Sequence, residues 1–282
     1  MKPLLETLRA GTGYLEKHGV EEARLNMEHL LAHVLGCRRL DLYLRFGEGL
    51  HEKDLEKLRG LTKRRAEGEP LQHLLGTVDF LGNELVSDHR ALIPRPETEY
   101  LCDLLIKHYG KNPPTRVLDM ATGSGCIGLT LATAWKSSQV ILADISEEAL
   151  DLARLNASRL GLEGMQILRS DLFEKISTPF DLIVSNLPYI PRGEIPSLSR
   201  EVQRDPILAL DGGPDGLDIV RRFLADAPSR LTAGAAVALE VGHDQGHVTA
   251  EHARGLGYTE VKVWADLAGI ERFVVAAAPL LA

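Results

Sequence analysis

VLDMATGSGCIGLTLA, residues Val117–Ala132, passes from a short apolar run through three glycines into a second apolar run. An apolar run of strand length that meets a glycine turn and continues as helix is the first half of a strand–helix–strand unit. Gly123, Gly125 and Gly128 fit the spacing G-x-G-x-x-G, and Asp144 stands nineteen residues beyond Gly125, at the end of the next apolar run. Taken alone the glycines mark only a tight strand-to-helix turn; with an acid in that place they match a nucleotide-binding loop.

The alternation continues outward from this stretch. Segments of strand character fall at Arg116–Met120, Val140–Asp144, Gln166–Arg169, Asp181–Ser185, Ala235–Val241, Val261–Ala265 and Arg272–Ala277, with helical stretches such as EEALDLARLNASRLG between most of them. This predicts an α/β fold, a doubly wound and mostly parallel seven-stranded sheet with its site at the carboxyl ends of the strands. The last two strands have no helix between them, which predicts an antiparallel edge hairpin. Residues 1–75 are helical instead: Met27, Leu30, Leu31, Val34 and Leu35 recur at helical spacing and stop at Gly36, and Leu55, Leu58 and Leu61 form another stripe. In between, VDFLGNELVSD carries Gly82-Asn83 between apolar runs, a hairpin signal. The predicted organisation is a helical domain at 1–75, a β-hairpin linker at 76–92 and an α/β domain at 93–282.

The 282 residues are 44% hydrophobic and 26% charged with a formal net charge of −8, a balance that disfavours a nucleic-acid partner and favours a protein or small molecule. No apolar run is long enough to span a membrane, and the N-terminal segment does not read as a signal peptide. Cys37, Cys102 and Cys126 form no CxxC pair, which predicts reduced thiols, a cytoplasmic location and no metal. His29 and His33 stand four apart on a helix, but Leu30 holds the place of a metalloprotease glutamate.

Asp119 separates the cofactors such a loop can hold. A dinucleotide sets a pyrophosphate against the loop, and a carboxylate there repels it; S-adenosylmethionine brings a sulfonium and an ammonium, which a carboxylate favours. The cofactor-binding set is then Asp119, the loop Ala121, Thr122, Gly123, Ser124 and Gly125, whose N–H groups receive a carboxylate, and Asp144 for the ribose hydroxyls. In SDLF, Ser170–Phe173, Asp171 is placed to accept from an adenine amino group, with Leu172 or Phe173 against the ring.

FDLIVSNLPYI, Phe180–Ile190, is a buried strand that ends in an amide, a bare carbonyl and an aromatic ring. Asn186-Leu187-Pro188-Tyr189 resembles the Asn-Pro-Pro-Tyr motif of methyltransferases that act on planar nitrogens, which include the adenine amino and glutamine amide enzymes. The resemblance implies catalytic roles for all four. The Asn186 side-chain oxygen and the Leu187 carbonyl accept from the reacting nitrogen, Pro188 stiffens the loop and Tyr189 packs on the amide; Asn186 also borders the cofactor. The segments PLQHLLGTVDFLGNELVSDHRALIPRPETE, VLDMATGSGCIGL, VSNLPYI, ALDGGPDGL, LEVGHDQG and DLAGIERFVVA are similar, in this order, to the HemK/PrmC family. Membership implies transfer of a methyl group from S-adenosylmethionine to the glutamine of the Gly-Gly-Gln loop in peptide chain release factors. The helical domain is then the recognition platform, and the α/β domain a Rossmann-like methyltransferase. The alternatives are an adenine amino methyltransferase, a non-catalytic cofactor-binding protein and a nicotinamide dehydrogenase.

Two positions depart from the family pattern. Leu187 replaces the first proline and keeps its carbonyl. Ala121 replaces the first loop glycine, which predicts an ordinary φ there. Elsewhere, DGGPDG (Asp211–Gly216) reads as a turn or part of a lid, His243 and His247 as loop residues, and Arg95 with Glu97 as an ion pair or the start of a helix at Pro96.

Overall fold

The computed structural model describes residues 2–279. The chain forms two compact units: residues up to Thr77 together with Ser199–Arg204, and Val78–Leu198 together with Asp205 onward.

The first unit contains β1 (Lys2–Pro3), α1 (Leu4–Lys17), α2 (Ala23–Leu35), β2 (Gly49–Leu50), α3 (Glu52–Ala66) and α4 (Leu71–Leu75). Its core is the predicted stripes: Leu4, Leu8 and Leu15 meet Met27, Leu30, Leu31, Leu55 and Leu58. Helix α2 stops where Gly36 takes φ +59°. Arg65 is a buried charge, and its fork is satisfied by Asn26 Oδ1 (2.7 Å), the Glu69 carbonyl (3.1 Å) and Glu201 (2.5 Å).

The second unit runs β3 (Thr77–Phe80, from Val78), β4 (Asn83–Val86), α5 (Pro96–Tyr109), β5 (Arg116–Met120), α6 (Cys126–Ala134), β6 (Gln139–Asp144), α7 (Glu147–Arg159), β7 (Gln166–Arg169), β8 (Phe180–Asn186), α8 (Asp218–Asp226), β9 (Leu231–Glu240), α9 (Gly246–Gly255), β10 (Thr259–Ala265) and β11 (Glu271–Ala277). The hairpin is stapled to α7: Asn156 bonds both the N–H and the carbonyl of Val86, and Arg159 pairs with Glu84. Its turn lies one residue before the predicted Gly82-Asn83. Leu81 (φ +49°) and Gly82 (φ +76°) hold the two left-handed positions of a tight hairpin turn. Asn83 starts β4 with its amide buried against Thr130.

The sheet order is β10-β11-β9-β8-β5-β6-β7, parallel except for β11, which lies antiparallel to both neighbours. Seven strands and the terminal hairpin were expected; β9 starts four residues before Ala235 and ends at Glu240, before Val241. Alternation along the strands makes two cores. Leu118, Met120, Ile183, Val237 and Leu239 pack with Val220, Phe223, Ala250 and Ala253 of α8 and α9. Val117, Leu182, Val184 and Ala238 pack with Leu101, Leu105, Ile127, Leu131 and Ala153 of α5, α6 and α7. No helix among the described residues is long and apolar enough to cross a membrane.

Candidate active site

The carboxyl ends of β5, β6, β7 and β8 border a cavity of about 280 Å³. Its wall includes Ala121–Ser124, Asp144, Ser170–Leu172 and Asn186–Pro188, with Arg90–Leu92, Arg95 and Thr98 before them in the chain.

The glycine loop is held from three sides. The Thr122 N–H donates to the Ala143 carbonyl (3.0 Å), the Gly123 N–H to Asp144 Oδ2 (2.9 Å), and the Asn156 side chain to the Ser124 carbonyl (2.9 Å). Gly123 and Gly125 take φ +57° and +85°. A Cβ at Gly125 would stand 2.8 Å from Leu129, and one at Gly128 would stand 2.9 Å from Asp119. Ala121 corrects the sequence expectation: its φ is +56°, so the alanine sits in the left-handed region that a glycine would occupy without strain.

Asp119 is also not where the charge argument put it. Strand alternation turns its side chain under the loop, where it is fully buried and outside the cavity wall. Its Oδ2 accepts from Thr122 Oγ1 (2.5 Å) and the Gly128 N–H (2.8 Å), while Oδ1 has no hydrogen-bond partner among the described residues. Burial lifts its carboxyl to about 7. It shapes the loop from below.

Asp144 is in the wall. Its oxygens accept the N–H groups of Gly123 and Ser146, both at 2.9 Å, and burial pushes its pKa upward. The three arginines of the wall each face a carboxylate: Arg90 with Asp88, Arg95 with Asp205 and Arg222 with Asp171. Arg95 therefore pairs with Asp205, where Glu97 was one option, and burial lifts Asp205 to about 6. Pro96 opens α5 as expected. Asp171 reaches the cavity with both oxygens on Arg222 (3.1 and 3.2 Å). Leu172 lines the wall at φ +42°; Phe173 does not, and its ring packs tilted against Phe223 in the core.

The carboxyl end of β8 carries the amide. Parallel pairing sets Asn186 beside Glu240 of β9. Asn186 Nδ2 donates to Thr98 Oγ1 (3.0 Å) and to Glu240 Oε1 (3.1 Å), and Thr98 Oγ1 donates to Glu240 Oε2 (2.7 Å). Leu187 and Pro188 follow in the wall. The Leu187 side chain is only 2% exposed and belongs to the core, so the leucine in the proline's place is a packing residue as well. Tyr189 corrects another expectation: it lies outside the cavity wall, half-buried, and desolvation raises its hydroxyl pKa, with Glu240 adding to the effect.

Sequence reading missed the residues that hold this segment. The Tyr189 carbonyl accepts from Gln245 (2.9 Å), the fourth residue of GHDQGH, whereas His243 is exposed and the exposed His247 pairs with Glu271. DGGPDG is a brace: the Ile190 N–H donates to Leu210, Gly212 donates back to Ile190, and Arg192 donates to Gly213. A Cβ at Gly216 would stand 2.2 Å from the Tyr189 carbonyl, so the brace admits only glycine there.

The chain resembles known proteins along most of its length. A family profile described as PrmC N-terminal domain matches residues 6–76, and one described as Methyltransferase small domain matches residues 97–199. The chain is 40% identical to the release factor glutamine methyltransferase of Deinococcus radiodurans over 96% of this chain and 97% of that one. The corresponding protein of Geobacter sulfurreducens is 38% identical over 97% of both, and that of Gloeobacter violaceus 41% identical over 92% and 91%. Among solved structures, a methyltransferase from Pyrococcus furiosus is 20% identical with TM-score 0.54, covering 71% of this chain and 90% of its own. The Thermus thermophilus 16S rRNA N2 G1207 methyltransferase, solved with AdoMet and guanosine, is 19% identical with TM-score 0.51, covering 73% and 50%. These two likenesses concern the fold alone.

Proposed function

The chain belongs to the release factor glutamine methyltransferases, and on that premise we propose that it methylates the glutamine amide of the Gly-Gly-Gln loop in peptide chain release factors with S-adenosylmethionine as donor. The observation that carries the reading is the Asn186 amide at the carboxyl end of β8, whose nitrogen is tied back to Thr98 and Glu240 while its segment borders the cavity.

The wall suits such a donor chemically. Each wall arginine already faces a carboxylate, which leaves Asp144 as a buried acid held by the backbone N–H groups of Gly123 and Ser146. A carboxylate has room for further donors, so Asp144 would accept from ribose hydroxyls. The loop Ala121–Gly125, at the start of α6, would take the donor's carboxylate, and Asp171 and Leu172 its base. When bound, S-adenosylmethionine supplies a methyl group made electrophilic by its sulfonium.

The chain's own task is to make an amide nitrogen react. That lone pair is delocalised into the carbonyl. The Asn186 Oδ1 and the Leu187 carbonyl accept its two N–H bonds, turn the lone pair toward the methyl carbon and stabilise the positive charge that grows on nitrogen. So aligned, the nitrogen would take up the methyl group with the donor's thioether as leaving group, and the amide proton, acidic only as the bond forms, would leave to solvent. Alignment supplies most of the acceleration. We assign recognition of the intact factor to the helical unit, and the cytoplasm, where release factors act, as the compartment. Transfer of labelled methyl to a purified release factor, but not to one whose loop glutamine is alanine, tests the reading; equal labelling of both refutes it.

A further inference from the structure

We propose that Glu240 and Thr98 are positioning residues that fix which end of the Asn186 amide faces the substrate, an inference that rests on the functional reading above. A primary amide has two ends of nearly the same shape, one donating and one accepting. Only one orientation serves here: Oδ1 toward the substrate, because the reacting amide offers N–H bonds. In the reverse orientation Asn186 would meet those N–H groups with its own, and the substrate nitrogen would be repelled.

The three side chains form a ring of defined polarity. Glu240 is 1% exposed and Thr98 2% exposed, so neither exchanges partners with water. The Thr98 hydroxyl gives its proton to Glu240 Oε2 (2.7 Å) and thereby turns lone-pair density toward Asn186 Nδ2 at 3.0 Å. Glu240 Oε1, a second acceptor, stands 3.1 Å from the same nitrogen. Both groups beside Nδ2 accept, so flipping Asn186 would set its oxygen against two acceptors in a buried site. Such unsatisfied contacts are costly. Nearby Arg272 forms its ion pair with Asp266, and the Glu240 carboxylate is held by the Thr98 hydroxyl and the Asn186 amide. A carboxylate accepting from one end of the Asn186 amide also draws electron density toward the other, which strengthens Oδ1 as an acceptor. The register of β8 on β9 places Glu240, and the first turn of α5 places Thr98. The polarity of the site is thus set by three separate elements.

Glu240→Gln is the near-isosteric test. A glutamine that gives its oxygen to one partner presents an NH₂ to the other. If the NH₂ faces Asn186, the flipped amide becomes the satisfied one; if it faces Thr98, the hydroxyl proton loses its acceptor. The experiment measures single-turnover methylation of a purified release factor and binding of S-adenosylhomocysteine by calorimetry, for wild type, Glu240→Gln, Thr98→Val and Thr98→Ser. Glu240→Gln is expected to lower the transfer rate ~10²-fold, the scale for losing one preorganised polar contact at a reacting centre. KM for the factor and affinity for S-adenosylhomocysteine should stay near wild type. Thr98→Val should lower the rate in the same sense, and Thr98→Ser, which keeps the hydroxyl, should restore it. A wild-type rate in Glu240→Gln, or a loss confined to KM, overturns the inference while leaving the methyltransferase reading intact. Should Glu240→Gln lose ligand binding, the threonine pair decides: equal rates in Thr98→Val and Thr98→Ser overturn it. A wild type that does not label the factor removes the functional reading and the inference together.

Discussion

Ala121→Gly should stabilise the protein, against the usual effect of adding a glycine. Ala121 sits at φ +56°, where an L-residue with a Cβ is strained by about 1–2 kcal/mol. Glycine removes that strain. Against this, it loosens the unfolded chain by about 0.4–1 kcal/mol. It also gives up a half-buried methyl at the edge of the core, a fraction of the ~0.8 kcal/mol of a fully buried carbon. At mid-range values the balance is a gain of a few tenths of a kcal/mol, and about 1 kcal/mol at most. For a unit of this size that raises the melting temperature by roughly 1–4 °C. Gly123→Ala is the reciprocal test. Its φ is +57°, and a Cβ there would meet only the Ala91 Cβ at 3.9 Å, an ordinary contact, so its cost is conformational and of the opposite sign. Urea and thermal unfolding of both variants and the wild type measure the two changes. If Ala121→Gly lowers stability while Gly123→Ala leaves it unchanged, the left-handed strain assigned to this loop is absent.

Asp144→Ala should weaken S-adenosylhomocysteine binding by about 1.5–3 kcal/mol, because a charged acceptor is lost; unchanged calorimetric affinity removes Asp144 from the site. Asn186→Ala should lower single-turnover methylation ~10²–10³-fold with the donor still bound, and a wild-type rate would end the hydrogen-bond account of β8's end. Asp119→Asn should flatten the pH dependence of stability. Burial raises the folded carboxyl to about 7, so the folded state holds a proton that the unfolded chain releases near pH 4. The stabilising effect of that proton is complete below about pH 4 and lost as pH rises through about 7. For a shift of roughly three pKa units it amounts to roughly 4 kcal/mol. The gap between urea midpoints at pH 5 and pH 8 should narrow in the variant, the rest of it being carried by the other buried acids such as Asp205, and an unchanged difference would assign the proton elsewhere.

The α/β architecture was readable because period is a local property: β5 and β7 fall on the residues the apolar runs marked, and the glycine loop follows β5. What was lost is what needs the third dimension. Asp119 reads as a cofactor ligand from its place before the loop, yet strand alternation turns it under the loop toward Gly128. Ala121 reads as an ordinary residue because nothing local announces that the turn keeps its left-handed φ without a glycine. The hairpin slipped by one residue because Leu81 accepts a positive φ that composition assigns to Gly82-Asn83. Thr98 and Glu240 lie 88 and 54 residues from Asn186, and only sheet register and a helix start bring them together. A buried glutamate at the end of an apolar strand was the signal available in LEVGHDQG, where the histidines drew attention first.

The helical unit is discontinuous in sequence, and this bears on how the molecule is made. Arg65 bonds Glu201, 136 residues further along, and Arg200 reaches back to the His18 carbonyl. On the ribosome the first 77 residues emerge long before Ser199–Arg204, so the nascent helices must wait with a guanidinium that still lacks its carboxylate. An unsatisfied buried partner of that kind costs about 1–3 kcal/mol, a large share of what a small helical unit has to spare. Translation therefore delivers β5, β6, β7 and β8 of the sheet before the helices are complete. A fragment cut after Thr77 lacks that strut, and supplying the six residues Ser199–Arg204 should restore it.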